Sequence, residues 1–304
     1  MVQEKTIDEE YLKVIDEKVE MIPLTFDVVL KGVFTKNQDL LKKFLLSVLN
    51  LNLDPKTTKI RISNTELIKQ YTKESQKRVD ILVVINDTLY VDVEANRSPF
   101  KRVKRRNTMY LDKINTLILE VGEKMKKANE RFVYQLNLNA VDKKFDLPDD
   151  VVGLCSLKTK KVYQDNKLIL LKYLVYYREK YYNKDIENTE DEIWLAALTA
   201  ENFTELNEIL SHILTDEERN RFVRSAIEMS QLEFNLAEWE AEKLNQMVID
   251  DTREEGREEG IIEGKKEGIN ETIINMLKND IPVETIKKIT NKSLEEIEDL
   301  RKQI

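Results

Sequence analysis

Apolar residues three and four positions apart dominate the first part of the chain. Residues 21–50 carry Phe26, Val29, Leu30, Val33 and Phe34, then Leu40, Leu41, Phe44, Leu45 and Val48. That spacing predicts helices packed against a core. Residues 58–68 alternate between apolar and polar and read as a strand. Two β-branched runs follow, 78–85 and 88–95, joined by Asn86-Asp87. Such a pair at that spacing predicts a hairpin. Residues 100–127 read as a basic helix, and RFVYQLNLNAV (131–141) as a further strand. The predicted order through residue 141 is therefore α-β-β-β-α-β. From about residue 155 the pattern changes. Residues 165–183, 190–212 and 216–250 carry long helical patterns with no strand signal.

The segment REEGREEGIIEGKKEG places Gly256, Gly260, Gly264 and Gly268 four apart. On a helix that spacing forms one near-axial stripe. A bare stripe lets a second helix approach closely, although each glycine costs about 1 kcal/mol against alanine. The stripe is either a self-association surface or part of a flexible charged linker. Two short helices are predicted in the tail, with Pro282 opening the first. Ser293 and Glu296 fit a capping box for the second. That second helix is acidic, where a helix entering a DNA groove should be basic. The expected organisation is a mixed α/β core over 1–150 and a helical region over 151–250. A helical tail over 251–304, which would mediate oligomers, completes it.

Scarce residues narrow the chemistry. The 304-residue chain contains one cysteine, Cys155, and one histidine, His212. A disulfide within the chain, a CxxC zinc site and a histidine-rich metal site are thereby excluded. His212 lies in an acidic helical stretch and reads as an ordinary helical residue. Neither GxxxxGK[ST] nor GxGxxG occurs, so no phosphate-cradling loop is visible. The longest apolar run, LILLKYLVYY (168–177), is broken by Lys172 and is too short to span a bilayer. With an acidic, charged N-terminus, the expectation is a cytoplasmic chain with no membrane contact. Carboxylates, lysines and a hard cation such as Mg²⁺, which prefers oxygen ligands, remain as chemical means.

The hairpin RVDILVVINDTLYVDVEAN concentrates these groups. Leu89, Val91 and Val93 point one way, and Tyr90, Asp92 and Glu94 the other, with Asn96 continuing the polar face. On the preceding run Asp80 opens an otherwise apolar stretch, Ile81 to Ile85. A buried carboxylate needs a partner. A cation shared with Glu94 would supply one, and so would an ion pair with Arg78 or a nearby lysine. RSPFKRVKRR (97–106) then holds Arg97, Lys101, Arg102, Lys104, Arg105 and Arg106 with no acid, in a chain of net charge −8. This cluster is either a phosphate-facing stripe beside the carboxylates or a solvated face.

Taken in order, these elements resemble the PD-(D/E)XK nuclease superfamily, and more narrowly the recombination-promoting nuclease and transposase family of bacteria. FDVVLKGVF (26–34) is similar to that family's opening helix, and RVDILVVI and LYVDVEAN to its two central strands. Arg106 and Tyr110 resemble the arginine and tyrosine of the next helix, and FVYQLNLN the fourth strand. The glycine stripe and the tail PVETIKKITNKSLEEIEDL resemble the family's C-terminal region. The resemblance implies an α+β or α/β fold: a restriction-endonuclease-like core with a small mixed sheet flanked by helices, then a helical region. It implies that Asp80 and Glu94 are metal ligands, with the Ala95 carbonyl as a third oxygen and Asp27 as a further one. The superfamily places Lys where this chain has Asn96, and this family often places Gln. An amide there orients a water but cannot neutralise charge on the phosphorane, so Lys31, Arg97 or Arg106 would have to do so. Asp80, Glu94, Asn96 and Lys31 are the implied catalytic set. Arg97, Lys101, Arg102, Arg105, Arg106, Tyr110 and Gln135 are the implied DNA contacts. The implied activity is Mg²⁺- or Mn²⁺-dependent DNA endonuclease cleavage in recombination, mobile elements or defence. The alternative is a catalytically impaired nuclease fold that binds DNA or protein as a homo-oligomer through its C-terminal helices.

Overall fold

A computed structural model of the chain describes residues 7–63, 66–67, 77–78, 80–97, 100–117, 130–140, 148–183 and 187–302. The early apolar spacing is realised as three helices: α1 (Glu9–Asp16), α2 (Asp27–Lys36) and α3 (Gln38–Val48). Asp8 caps α1 by accepting from the Tyr11 N–H at 2.7 Å. The alternating stretch is shorter than predicted. Strand β1 (Ile60–Ile62) joins the main sheet, whereas β2 (Glu66–Leu67) pairs with β3 (Lys77–Arg78) in a separate two-stranded ribbon.

The hairpin forms between β4 (Ile81–Ile85) and β5 (Leu89–Asn96). Its turn residues Asn86 and Asp87 both have positive φ, 47° and 59°. Asn and Asp tolerate that left-handed backbone, which hairpin turns of the right twist require. Next come α4 (Phe100–Leu117) and β6 (Phe132–Asn139).

After β6 the sequence reading needs correction. Residues 165–183, predicted to be helical throughout, begin as strand. Strand β7 (Asp149–Cys155) pairs antiparallel with β8 (Val162–Tyr173), and only then does α5 (Leu174–Tyr182) start. A short leucine-rich run satisfies helical and strand patterns alike, so its period does not discriminate. Pairing decides it, because Lys167–Tyr173 lie in parallel register with Val133–Asn139 of β6. The sheet order is β1-β4-β5-β6-β8-β7, with β5, β6 and β8 mutually parallel.

Four helices follow: α6 (Glu190–Ala197), α7 (Phe203–Leu210), α8 (Asp216–Gln231) and α9 (Glu233–Lys278). The core between helices is aromatic. Phe34 of α2 stacks near Phe44 of α3 (5.1 Å) and Phe222 of α8 (5.6 Å), and Trp194 of α6 meets Phe44 (5.8 Å) and Phe222 (5.9 Å). At Gly32 of α2 the Met229 side chain of α8 occupies the place a Cβ would take. Asn37, buried at the α2–α3 junction, donates to Ser225 Oγ at 2.9 Å and ties the same two elements.

Met1–Ala237 and Glu238–Ile304 are separate compact units. In the second, α9 carries the four spaced glycines as helix, and apart from the helix's own backbone no atom of the described residues comes within 4 Å of a Cβ built on any of them. Ile273 of α9, Ile286 of α10 (Val283–Thr290) and Ile297 of α11 (Leu294–Arg301) form a small buried cluster. The expected capping box is present: Ser293 Oγ accepts from the Glu296 N–H at 3.2 Å, and the Ser293 N–H donates to Glu296 at 2.9 Å. Among the described residues no helix is long and apolar enough to cross a membrane.

Candidate active site

The hairpin register places Ile81 opposite Val93, and so brings Asp80, at a bend just before β4, alongside Glu94 and Ala95. The two strands lock at this point by exchange. The Ala95 N–H donates to Asp80 Oδ2 at 2.8 Å, and the Asp80 N–H donates to Glu94 Oε1 at 3.3 Å. Val91 and Val93 enter the apolar core, so Asp92, Glu94 and Asn96 share the other face.

That face continues onto β6. Parallel register pairs Asp92 with Gln135, Glu94 with Asn137, and Asn96 with Asn139. All six side chains are buried, and buried polar groups require partners. Gln135 Nε2 donates to Asp92 Oδ2 at 2.8 Å. Asn96 Nδ2 donates to Asn137 Oδ1 at 2.9 Å and to Asn139 Oδ1 at 3.2 Å. Asn107 of α4 also donates to Asn137 Oδ1. Arg106 reaches down from the same helix. Its guanidinium donates to Asn96 Oδ1 at 2.6 Å and to Glu94 Oε2 at 3.3 Å, and lies 5.7 Å from the centre of the Tyr110 ring. Its side chain remains 43% exposed, so part of the guanidinium faces outward.

Charge in this pocket is unbalanced. Burial pushes Asp80 up to about 7, and the Asp27 carboxylate adds to the shift, while the Ala95 N–H, Arg106 and Lys31 oppose it. Burial likewise raises Asp92 to about 7, opposed by the hydrogen bond from Gln135. Glu94 is held well above the ordinary carboxylate range by burial and by the charges of Asp92 and Asp80. Asp92 Oδ1 is buried and has no fixed donor among the described residues. It can bond Glu94 only when one of the two carboxyls keeps a proton, which their raised proton affinity favours.

The structure thus gathers Asp80, Glu94, Ala95 and Asn96, with Asp27 and Lys31 of α2 within electrostatic reach of Asp80. Arg97 lies further round, 3.5 Å from Thr25 Oγ1. Lys101, Arg102 and Arg105 sit on α4, but their side chains, like that of Arg78, lie outside the described residues. Gln135 is fully buried beneath Asp92. Sequence reasoning did not single out Asp92, Asn107, Asn137 or Asn139 as site residues. For Asp92 and the two strand asparagines the signal is i, i+2 spacing with their neighbours, on strands whose other face is apolar.

These raised values make a prediction about the protein without metal. Between about pH 4 and pH 7 the folded chain binds protons that the unfolded chain releases, so stability falls as pH rises through that window. Carboxylates with depressed values, such as Asp39 and Glu218, act in the opposite sense only at lower pH. Thermal melting in EDTA should give a midpoint several degrees higher at pH 5.5 than at pH 8, since each pKa unit corresponds to about 1.4 kcal/mol of stability. Equal midpoints would show that the carboxylates are hydrated.

Among the described residues no three acidic, histidine or cysteine side chains form a closed metal cage. The donor set nevertheless fits a hard cation. Asp80 and Glu94 converge, the pocket holds an excess of negative charge, and a buried carboxylate oxygen lacks a donor. Mg²⁺ commonly keeps several waters and binds through one or two carboxylates. Compared with models of known protein families, residues 24–252 match the PD-(D/E)XK nuclease family transposase. No curated protein and no solved structure matches the chain.

Proposed function

The chain belongs to the PD-(D/E)XK nuclease family transposases, and on that premise we propose that it is a metal-dependent DNA endonuclease. The observation that carries this reading is the reciprocal lock that holds Asp80 and Glu94 together beneath the half-exposed Arg106. Asp80 and Glu94 would hold Mg²⁺ or Mn²⁺, with the Ala95 carbonyl and Asp27 as further oxygen donors. When bound, the cation polarises the scissile phosphate and lowers the pKa of a water nucleophile. Arg106 and Lys31 bind and orient the phosphate and offset its charge. Asn96 acts as a positioning residue: both its amide donors go to β6 and its oxygen accepts from Arg106. The basic segment that holds Arg97, Lys101, Arg102 and Arg105 would follow the DNA backbone. The biological setting that fits is recombination, mobile elements or defence.

Nicking of supercoiled plasmid in Mg²⁺, in Mn²⁺ and in EDTA tests this directly. Cleavage with either metal and none in EDTA is the expected result. Equal background in every lane would favour the second reading, a nuclease fold used for binding alone. Its supporting observation is that Arg106 is paired with Glu94 and that no lysine or free amide stands at position 96. In either case the exposed Leu244, Met247 and Val248 of α9, followed by the bare glycine stripe, make a homo-oligomer the proposed assembly. Light scattering at micromolar concentration should give a mass above 35.8 kDa, and a monomeric mass would remove the proposal.

A further inference from the structure

The β7–β8 hairpin extends beyond the sheet that supports it. The first residue of β8 paired with β6 is Lys167, and Asn166 still donates to Arg131 O at 3.4 Å, so Val162 to Asp165 run past the start of β6, paired among the described residues with β7. At 3.3 Å per residue, those four residues project roughly 13 Å. The tip is an ordered turn. Ser156 and Lys161 bond through the Ser156 N–H at 2.9 Å, the Lys160 N–H donates to Ser156 O at 2.8 Å, and Lys160 holds φ at 59°.

The composition of this ribbon is unusual for a surface of an acidic protein. Between Val151 and Tyr163, toward the tip, there are three lysines, Lys158, Lys160 and Lys161, and no acid, whereas Asp149, Asp150 and Asp165 flank that stretch, in a chain of net charge −8. All three are exposed. Leu157 is 83% exposed and Tyr163 80% exposed, beside exposed Val151, Val152, Leu154 and Val162. Large apolar side chains displayed in this way mark an interaction surface. Lysines at its tip select an anionic partner.

We infer that the β7–β8 ribbon is a second DNA contact, which enters a groove of duplex DNA with Lys158, Lys160 and Lys161 on phosphates. It lies away from the carboxylate cluster, at the N-terminal end of β8. The major groove, about 12 Å wide and 8.5 Å deep, admits a two-stranded β-ribbon, and the projection exceeds that depth. Leu157 and Tyr163 then meet bases and sugars, where apolar contact with thymine methyls is favourable. Because its backbone is hydrogen-bonded before binding, little ordering entropy is lost. This inference rests on the reading of the chain as a DNA-cutting enzyme.

The test uses the full-length chain with Asp80→Asn, so that DNA is bound but not cut, and a labelled duplex of several helical turns. Binding is followed by anisotropy between about 50 and 200 mM salt, where log K falls by about 0.9 per phosphate contact for each decade of salt. Adding Lys158→Gln, Lys160→Gln and Lys161→Gln should reduce that slope by about 2.7, because three contacts are lost. Tyr163→Ser alone should weaken binding several-fold and leave the slope unchanged. These substitutions lie on an exposed tip, and an unchanged melting midpoint confirms that the fold is kept. An unchanged slope in a protein that nicks plasmid and binds duplex would overturn this inference alone. Absence of both nicking and duplex binding in the unsubstituted chain would overturn the endonuclease reading with it. A variant that keeps its slope but loses a dimer would overturn the inference too, and would identify the ribbon as a contact between copies of the chain.

Discussion

Glu94→Gln and Asp80→Asn should each abolish metal-dependent cleavage while making the metal-free protein more stable at pH 8. Both replacements keep size and an acceptor oxygen, so the hydrogen bonds between β4 and β5 can persist. Loss of one charged ligand removes several kcal/mol of transition-state stabilisation, on the order of 10²–10⁴ in rate. The stability effect has the opposite sign. Three carboxylates, Asp80, Asp92 and Glu94, crowd one pocket, and Arg106 pairs with Glu94 there at 3.3 Å. Removing one partner of a well-balanced buried ion pair is strongly destabilising. Here the balance is already negative, and Arg106 is partly hydrated, so relief of repulsion and desolvation outweighs the lost pairing. A rise of a few degrees in melting midpoint in EDTA, with no nicking in Mg²⁺, is the expected pair of results. A variant that melts well below the parent would show instead that the carboxylates serve as structural ion-pair partners.

Trp194→Ala should be among the most destabilising single changes in the chain, at about 3–5 kcal/mol. The indole is 1% exposed and contacts Phe44 and Phe222, with Phe34 packed behind them. Its removal leaves a cavity where α2, α3, α6 and α8 meet. For a unit of this size a loss of that magnitude lowers the melting midpoint by roughly 10 °C. Cleavage should fall as well, because α2 carries Asp27 and Lys31, and misplacement by about 1 Å can cost 10²-fold in rate. Trp194→Phe provides the contrast. The indole N–H has no acceptor among the described residues, so its loss removes an unsatisfied buried donor worth about 1–3 kcal/mol. That gain offsets much of the lost volume, and the phenylalanine variant should melt close to the parent. Equal loss in both variants would mean that the N–H is bonded after all.

Local patterns carried the features that a few adjacent residues control. Asn86-Asp87 between two β-branched runs specified the hairpin, because only residues tolerant of positive φ complete that turn. Strand alternation put Asp92, Glu94 and Asn96 on one face before any partner strand was known. Ser293 and Glu296 marked a helix start because both halves of a capping box lie within four residues. The order of these elements was enough to point to the family.

Tertiary structure decided whatever depends on pairing between distant segments. LILLKY became strand because β6 has an edge that accepts a parallel neighbour, and no local period records that edge. The resemblance implied Gln135 as a DNA contact; parallel register sets it under Asp92, a residue 43 positions away. Asn96 read as a water-orienting amide where the superfamily has Lys and this family often has Gln. Only folding shows its amide held between Asn137, Asn139 and Arg106. The sequence by itself determined which carboxylates stand on the hairpin and which way they point, since a strand's two-residue period is a property of the backbone. Which groups face those carboxylates, and hence their charge and burial, was decided by strand register and helix docking across the whole first unit.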